Sequence, residues 1–188
     1  YSQLLDRARA RRDVVNEIVY LNQLAYIYEQ AKDPSRTITY QQQLVNLYQQ
    51  LNDPKPIPGL RIKMAENYER LARLDLAERN YQLAYELSRP LLQLGYAGDA
   101  LKKLGTLYLA NNRLDAALRV YNFLVGVEQQ AYNTYGMMDA YDKIGQIHVT
   151  RKNYPQAIAS FQRALNLARQ LKYKEDYFAT QIQQISQR

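Results

Sequence analysis

Cysteine is absent from this 188-residue chain, and histidine occurs once, at His148. The first absence excludes disulfides, thiolate nucleophiles and any cysteine-ligated zinc site, and it leaves the redox compartment unread. The second leaves a serine-hydrolase triad dependent on one side chain, and no G-x-S-x-G elbow is present to serve it. A lone histidine with no cysteine or second histidine to complete a site is expected to be a packed, hydrogen-bonded structural residue. A Walker loop and a G-x-G-x-x-G turn are also missing, so nucleotide chemistry has no visible seat. Long apolar runs are lacking too. The stretch Phe123-Leu124-Val125-Gly126-Val127 stops far short of the roughly 20 residues a membrane helix needs. The chain begins Tyr1-Ser2-Gln3, without Met or a charged-then-apolar leader. The expectation is therefore a piece of a longer or processed protein, cytoplasmic by default.

What is present is 47% hydrophobic by count, enough for one extended domain or a short repeat array, with a formal charge of +7. The basic residues are mostly dispersed. Arg7, Arg9, Arg11 and Arg12 are the densest group, and a helix spreads them over more than one side, so a solvated face is expected rather than a nucleic-acid patch.

The strongest signal is periodic. Tyr28, Tyr68, Tyr108 and His148 follow one another at intervals of 40 residues. An apolar column, Leu24, Met64, Leu104 and Ile144, keeps the same interval, as does a small-residue column, Ala25, Ala65, Gly105 and Gly145. A period in this range points to helical hairpins that stack because none can bury its apolar face alone. Small residues at Ala65, Gly105, Gly145, Ala77, Ala117 and Ala157 fit where the two helices of a hairpin approach closely, with Tyr and Phe filling the spaces between. Turn chemistry at 33–35, 73–75, 112–115 and 153–155 separates the helices, with Ser35, Asp75 and Asp115 as N-cap candidates. Residues 52–59 and Gly95-Tyr96-Ala97-Gly98 read as loops between hairpins, and Pro90 as a helix end. In the first hairpin, Arg36 falls where the small residue is wanted, and Tyr40 falls one place early.

The clearest unit runs Tyr141, Ile144-Gly145, His148, Ala157, Phe161 and Ala164, and the preceding ones repeat it as Leu101, Leu104-Gly105, Tyr108, Ala117, Tyr121 and as Arg61, Met64-Ala65, Tyr68, Ala77, Tyr81, Ala84. This resembles the tetratricopeptide repeat family in a long-helix variety, over nearly the whole chain. The resemblance implies an all-α, right-handed superhelical solenoid of antiparallel helix hairpins, as a single array over 1–188. Its expected parts are an orphan second helix at 1–12, repeats at 13–56, 57–96, 97–136 and 137–173, and a C-terminal capping helix at 174–188.

The same resemblance implies function by binding, with no cofactor and no catalysis: a protein-interaction module or scaffold within a larger protein. Its concave groove would be lined from the first helix of each hairpin. The positions are Asn22, Tyr26 and Glu29, then Ile62, Glu66 and Glu69, then Lys102, Thr106 and Leu109, and last Asp142, Gln146 and Val149. Tyr26, Glu66 and Thr106 stand where chaperone-binding members carry Asn, so that role is disfavoured. Glu66 and Glu69 lie one helical turn apart, a spacing open to acid–base work but more usual on a solvated or partner-contacting face. Of the 18 tyrosines, Tyr28, Tyr68, Tyr81, Tyr108 and Tyr121 belong to packing columns, while Tyr26, Tyr132 and Tyr135 are recognition candidates. Two alternatives stand beside the scaffold reading: a peptide- or ligand-sensing array of a multidomain regulator, and a basic, tyrosine-assisted RNA surface, the latter disfavoured.

Overall fold

A computed structural model describes residues 1–187 as ten α-helices with no strand among the described residues. They are α1 (Ser2–Ala10), α2 (Val14–Gln30), α3 (Pro34–Gln50), α4 (Ile57–Arg70), α5 (Leu74–Ser88), α6 (Leu94–Ala110), α7 (Leu114–Gln130), α8 (Thr134–Thr150), α9 (Tyr154–Leu171) and α10 (Glu175–Ser186). Two compact units result, one from Tyr1 to Leu92 and one beginning at Gln93. The fold is all-α, built of antiparallel hairpins: α2 on α3 and α4 on α5 in the first unit, α6 on α7 and α8 on α9 in the second. Helix α10 closes the last hairpin by packing on α9.

The turns have a shorter period than the helices' side-chain pattern. Arg12, Lys32, Asn52, Ala72, Leu92, Asn112, Tyr132, Lys152 and Lys172, each 20 residues after the last, all lie in the left-handed region with φ between 51° and 58°. At most of them the same pair of backbone bonds ends the helix. After α4, for example, the Ala72 N–H donates to the Glu69 carbonyl and the Arg73 N–H to the Tyr68 carbonyl. This satisfies helix-end carbonyls, as in the Schellman motif. Tyr28, Tyr68, Tyr108 and His148 all supply the longer bond's acceptor, so the column read from the sequence also marks where each first helix stops. None of these left-handed positions is glycine.

Several local expectations change. Asp13, Asp33 and Asn133 cap their helices by accepting from the N–H three residues on. Ser35 lies inside α3's first turn rather than at its cap. Asp75 and Asp115 likewise sit in the first turns of α5 and α7, where a negative charge opposes the positive end of the helix dipole. Residues 95–98 are helical, not a loop: both glycines lie on α6, and Gly98 is buried there. Helix α4 begins at Ile57, so Pro58 and Gly59 belong to its first turn. Helix α5 ends at Ser88, two residues before Pro90.

The first hairpin keeps the 40-residue register with different residues. Thr37, fully buried, occupies the place of Ala77, Ala117 and Ala157, and buried Gln41 occupies that of Tyr81, Tyr121 and Phe161. Tyr40 stacks instead on Tyr28, their rings 5.5 Å apart and 6° from parallel, with the Arg36 guanidinium 5.1 Å from the Tyr28 ring centre. Small-to-large packing is clearest in the second unit, where a Cβ on Gly105 would stand 2.8 Å from the Tyr121 ring.

Apolar clusters form along the stack. In the first unit Leu5 of α1 joins Leu21 and Leu24 of α2 and Leu44 and Leu47 of α3, and Ile38 and Val45 of α3 join Ile57 and Met64 of α4. In the second, Met138 of α8, Ala157, Phe161, Ala164 and Ala168 of α9 and Phe178 and Ile185 of α10 share one core.

Candidate functional site

In the first unit α2 presents a row of exposed side chains. Val15, Val19, Asn22 and Tyr26 follow at intervals of four, three and four residues, which puts them on one face of a helix. Val15 is 73% exposed, Val19 45% and Tyr26 58%. Asn22 donates from Nδ2 to the Ile18 carbonyl 2.9 Å away, so its amide is turned back along the helix. The row runs toward a cleft of about 590 Å3 lined by Glu29, Gln30, Lys32, Pro34 and Arg70. Arg70 is held at its rim by donating to Asn67 Oδ1 over 3.1 Å. The remaining positions expected in this unit are engaged on α4. Glu69 accepts a hydrogen bond from the Tyr81 hydroxyl, and Glu66 is half-buried. Ile62 is only 4% exposed, so its expected place on an open groove is corrected: it is part of the core.

The matching face of the second unit holds polar contacts between its own helices. Lys102 of α6 pairs with Asp139 of α8 at 3.0 Å, and that hydrogen-bonded contact holds the ammonium above its ordinary pKa. Thr106 donates to the Lys102 carbonyl at 3.0 Å and lies 3.4 Å from the Tyr121 hydroxyl. Leu109 is half-buried, and Val149 packs against the α8–α9–α10 core. Asp142 is the second correction. It is 8% exposed and accepts from Gln146 Nε2 at 3.0 Å and from the Tyr177 hydroxyl of α10 at 3.1 Å. Burial pushes its carboxyl above the usual carboxylate range, against the opposing pull of those two bonds. Gln146 also donates toward the Tyr177 hydroxyl at 3.3 Å. The closing helix thus covers two of the expected groove positions.

Glu128 was not foreseen. It rises from α7 into space that Gly98 of α6 and Gly136 of α8 leave open: a Cβ would stand 2.7 Å from Glu128 Oε1 at the first and 2.5 Å from its carboxyl group at the second. Its Oε2 accepts from Asn133 Nδ2 at 2.7 Å, and Asn133 in turn caps α8 through the Gly136 N–H. Burial raises the Glu128 pKa, offset in part by that bond. Val15 and Val19 were missed as well. Their spacing from Tyr26 was the available signal, because the family positions begin later on the helix.

His148 is half-buried, and its Nδ1 lies out of reach of solvent with no hydrogen-bond partner, which corrects the expectation of a hydrogen-bonded histidine. Burial and the nearby Arg151 cation lower its pKa. Among the described residues no three His, Cys, Asp or Glu side chains are grouped to hold a metal ion. No helix is long and apolar enough to cross a membrane, again among the described residues.

Residues 139–171, covering most of α8 and all of α9, match the sequence model of a tetratricopeptide repeat. No characterised protein matches the chain by sequence alone. Solved structures match it in fold. BtubC (BKLC) from P. vanneervenii is 17% identical with a TM-score of 0.72, the match covering 99% of this chain and 80% of that one. The apo form of RapI is 10% identical with a TM-score of 0.77, over 96% of this chain and 52% of RapI. PH0952 from Pyrococcus horikoshii, a STAND signal-transduction ATPase with a tetratricopeptide repeat sensor, is 14% identical with a TM-score of 0.69, over 96% of this chain and 28% of that protein. The chain therefore spans about half the length of RapI and little more than a quarter of PH0952. At these identities the likeness is one of fold.

Proposed function

We propose, from the premise of a chain built of tetratricopeptide-like helix hairpins, that it is a non-catalytic protein-binding module whose main contact is the exposed face of α2. The observation that carries this reading is the row Val15, Val19 and Tyr26, apolar and open to solvent, on the helix face that the family uses for partners. In the second unit Lys102 and Asp142, counterparts of Asn22, and Gln146, counterpart of Tyr26, already bond to neighbouring helices. A bound segment lays apolar side chains along Val15, Val19 and Tyr26 and a polar group toward Glu29 and Arg70 at the cleft. Aromatic anchors of this kind concentrate binding energy in a few residues. Glu69 and Lys102 remain secondary contacts, since each first gives up a bond within the fold.

The fold shared with the sensor-bearing PH0952 supports a second reading, in which the same face takes a peptide and governs a neighbouring domain. Both readings place binding on α2. The test is partner capture from native extract, quantified by mass spectrometry, with the parent chain and with Val19→Asp, Tyr26→Ala and Arg9→Glu/Arg12→Glu variants of unchanged helical circular dichroism. Loss of at least about 1 kcal/mol, roughly fivefold, is expected for Tyr26→Ala. Capture that survives both α2 variants and fails with the arginine reversal sinks this reading in favour of the basic surface.

A further inference from the structure

Arg61 is a half-buried cation without a carboxylate. It stands on α4 in a column otherwise held by Leu21, Leu101 and Tyr141, so the packing alone does not demand a charge there. Its Nη1 donates to Asn80 Oδ1 of α5 at 3.1 Å and, at 3.4 Å, to Gln42 Oε1 of α3. Its Nε is buried with no hydrogen-bond partner. Among the described residues it makes no ion pair, and the Arg79 cation adds repulsion. Guanidinium keeps its proton at any ordinary pH, so this charge stays. A charge drawn partly out of water is costly unless compensated, and such groups are normally paired.

The surroundings are arranged around it. Gln42 Nε2 is occupied by Asn46 Oδ1 at 2.8 Å, and Asn80 Nδ2 by the Leu76 carbonyl at 2.8 Å. Both amides are thus locked with their oxygens toward Arg61. They grip Nη1 and leave the edge bearing Nε without an acceptor. Asn80 is only 5% exposed, at a position that carries Tyr40, Val120 and Ser160 in the other hairpins. Where the next hairpin has the apolar pair Leu101 and Val120, this one has Arg61 and Asn80. Two coincident polar replacements, each fixed by further hydrogen bonds, form a built donor site rather than a stray charge.

We propose that Arg61, oriented by Asn80 and Gln42, is an oxyanion-binding site between α3 and α5, taking a carboxylate or phosphate group on the guanidinium edge that carries Nε. A planar fork meets two oxygens of one such group side by side, and a charge-assisted bond in a half-buried setting is stronger than its surface equivalent. The anion comes either from free phosphate or from an acidic side chain on a docking segment, and the test separates the two. It is independent of the α2 face.

The experiment measures melting temperature of the whole chain in sodium phosphate against sodium chloride at matched ionic strength, and calorimetric binding of a glutamate-rich octapeptide beside its glutamine counterpart. Arg61→Leu, the residue of two other hairpins, is the principal variant. Arg61→Lys, which keeps the charge and loses the fork, serves if the first fails to fold. Phosphate also stabilises proteins by exclusion from their surface, but that contribution is common to parent and variant and drops out of the difference. A parent-specific rise of about 3 °C, at phosphate some ten times its Kd, assigns the site to free phosphate or a phosphoryl group. Heat from the glutamate peptide alone, lost in the variant and absent with glutamine, assigns it to a partner's carboxylate. A response to neither anion, or an equal response in the parent and the variants, overturns the proposal.

Discussion

Gly145 lies against Phe161: a Cβ built on the glycine would stand 2.7 Å from the ring's Cε1, closer than any relaxed contact allows. The ring is fully buried, and its neighbours Ala157, Ala164 and Ala168 are buried with it, so it has no empty side to move toward. Gly145→Ala is expected to cost about 1–3 kcal/mol through overpacking, and Gly105→Ala about as much against Tyr121. Gly126→Ala should do the reverse. Nothing lies within 4 Å of that Cβ, and the position is interior to α7, so the substitution gains about 1 kcal/mol of helix propensity. Chemical denaturation of the three variants checks the set. A Gly145→Ala protein as stable as the parent would show that the close contact has been misread.

The left-handed turns give a second prediction. Leu92 sits at φ 54° while 81% exposed, so its side chain offers little packing in return for the backbone conformation. Left-handed backbone costs an ordinary residue roughly 1–2 kcal/mol, part of which a glycine returns to the unfolded chain as entropy. Leu92→Gly is therefore expected to stabilise by about 0.5–1 kcal/mol. Tyr132→Gly, at φ 53° and 93% exposed, should behave alike. A lowered denaturation midpoint in both would mean the exposed side chains contribute packing that their accessibility hides.

The 40-residue columns were legible because like-sized residues recur at like places in successive hairpins, as with Gly105 against Tyr121 and Gly145 against Phe161. The 20-residue turn period was not. Every left-handed position carries a residue other than glycine, from Arg12 to Lys172, so the usual compositional mark of a helix end is missing. Glycine misled in the other direction. Gly95 and Gly98 read as a loop, yet Gly98 is small because Glu128 needs its space. On the first hairpin, Arg36 and Tyr40 drew attention from Thr37 and Gln41, polar residues that hold the register's small and large places. The expected groove positions lie on the first helices of the hairpins. Which of them stay open depends on neighbours, as Ile62 and Asp142 demonstrate, and no single helix pattern contains that information.

Two raised carboxyl groups give a pH dependence with a definite sign. For Asp142 burial is the main cause, opposed by bonds from Gln146 and Tyr177 and by Lys143, with Asp139 adding repulsion. A carboxyl whose pKa is higher in the folded protein binds its proton more tightly there, so folding is disfavoured above the folded value and recovers as pH falls through it toward the unfolded value. Asp142→Asn should accordingly be more stable than the parent near neutral pH, and the gap should close as the solution is acidified. Glu128→Gln is expected to follow the same course, since burial is the leading cause there too. Melts at several pH values decide the matter. A gap that widens on acidification would give the wrong sign and place these carboxylates among the stabilising charges.

The last prediction concerns α10. Phe178 is 1% exposed, with its ring centre 6.4 Å from that of Phe161, and Ile185 is 5% exposed in the same core. Removing 174–188 would uncover Phe161, Ala164 and Ala168 on α9 and Met138 on α8, an apolar face that α10 covers. It would also strip the Tyr177 hydroxyl from Asp142, leaving Gln146 as its remaining side-chain partner. The truncated chain is expected to self-associate or lose solubility. Phe178→Ala isolates the packing part at about 3–5 kcal/mol, and Tyr177→Phe the polar part at about 1–3 kcal/mol. Analytical ultracentrifugation beside thermal melts separates these effects. A truncated protein that stays monomeric and melts with the parent would make α10 an appendage, and the second unit would then be held by α6–α9 alone.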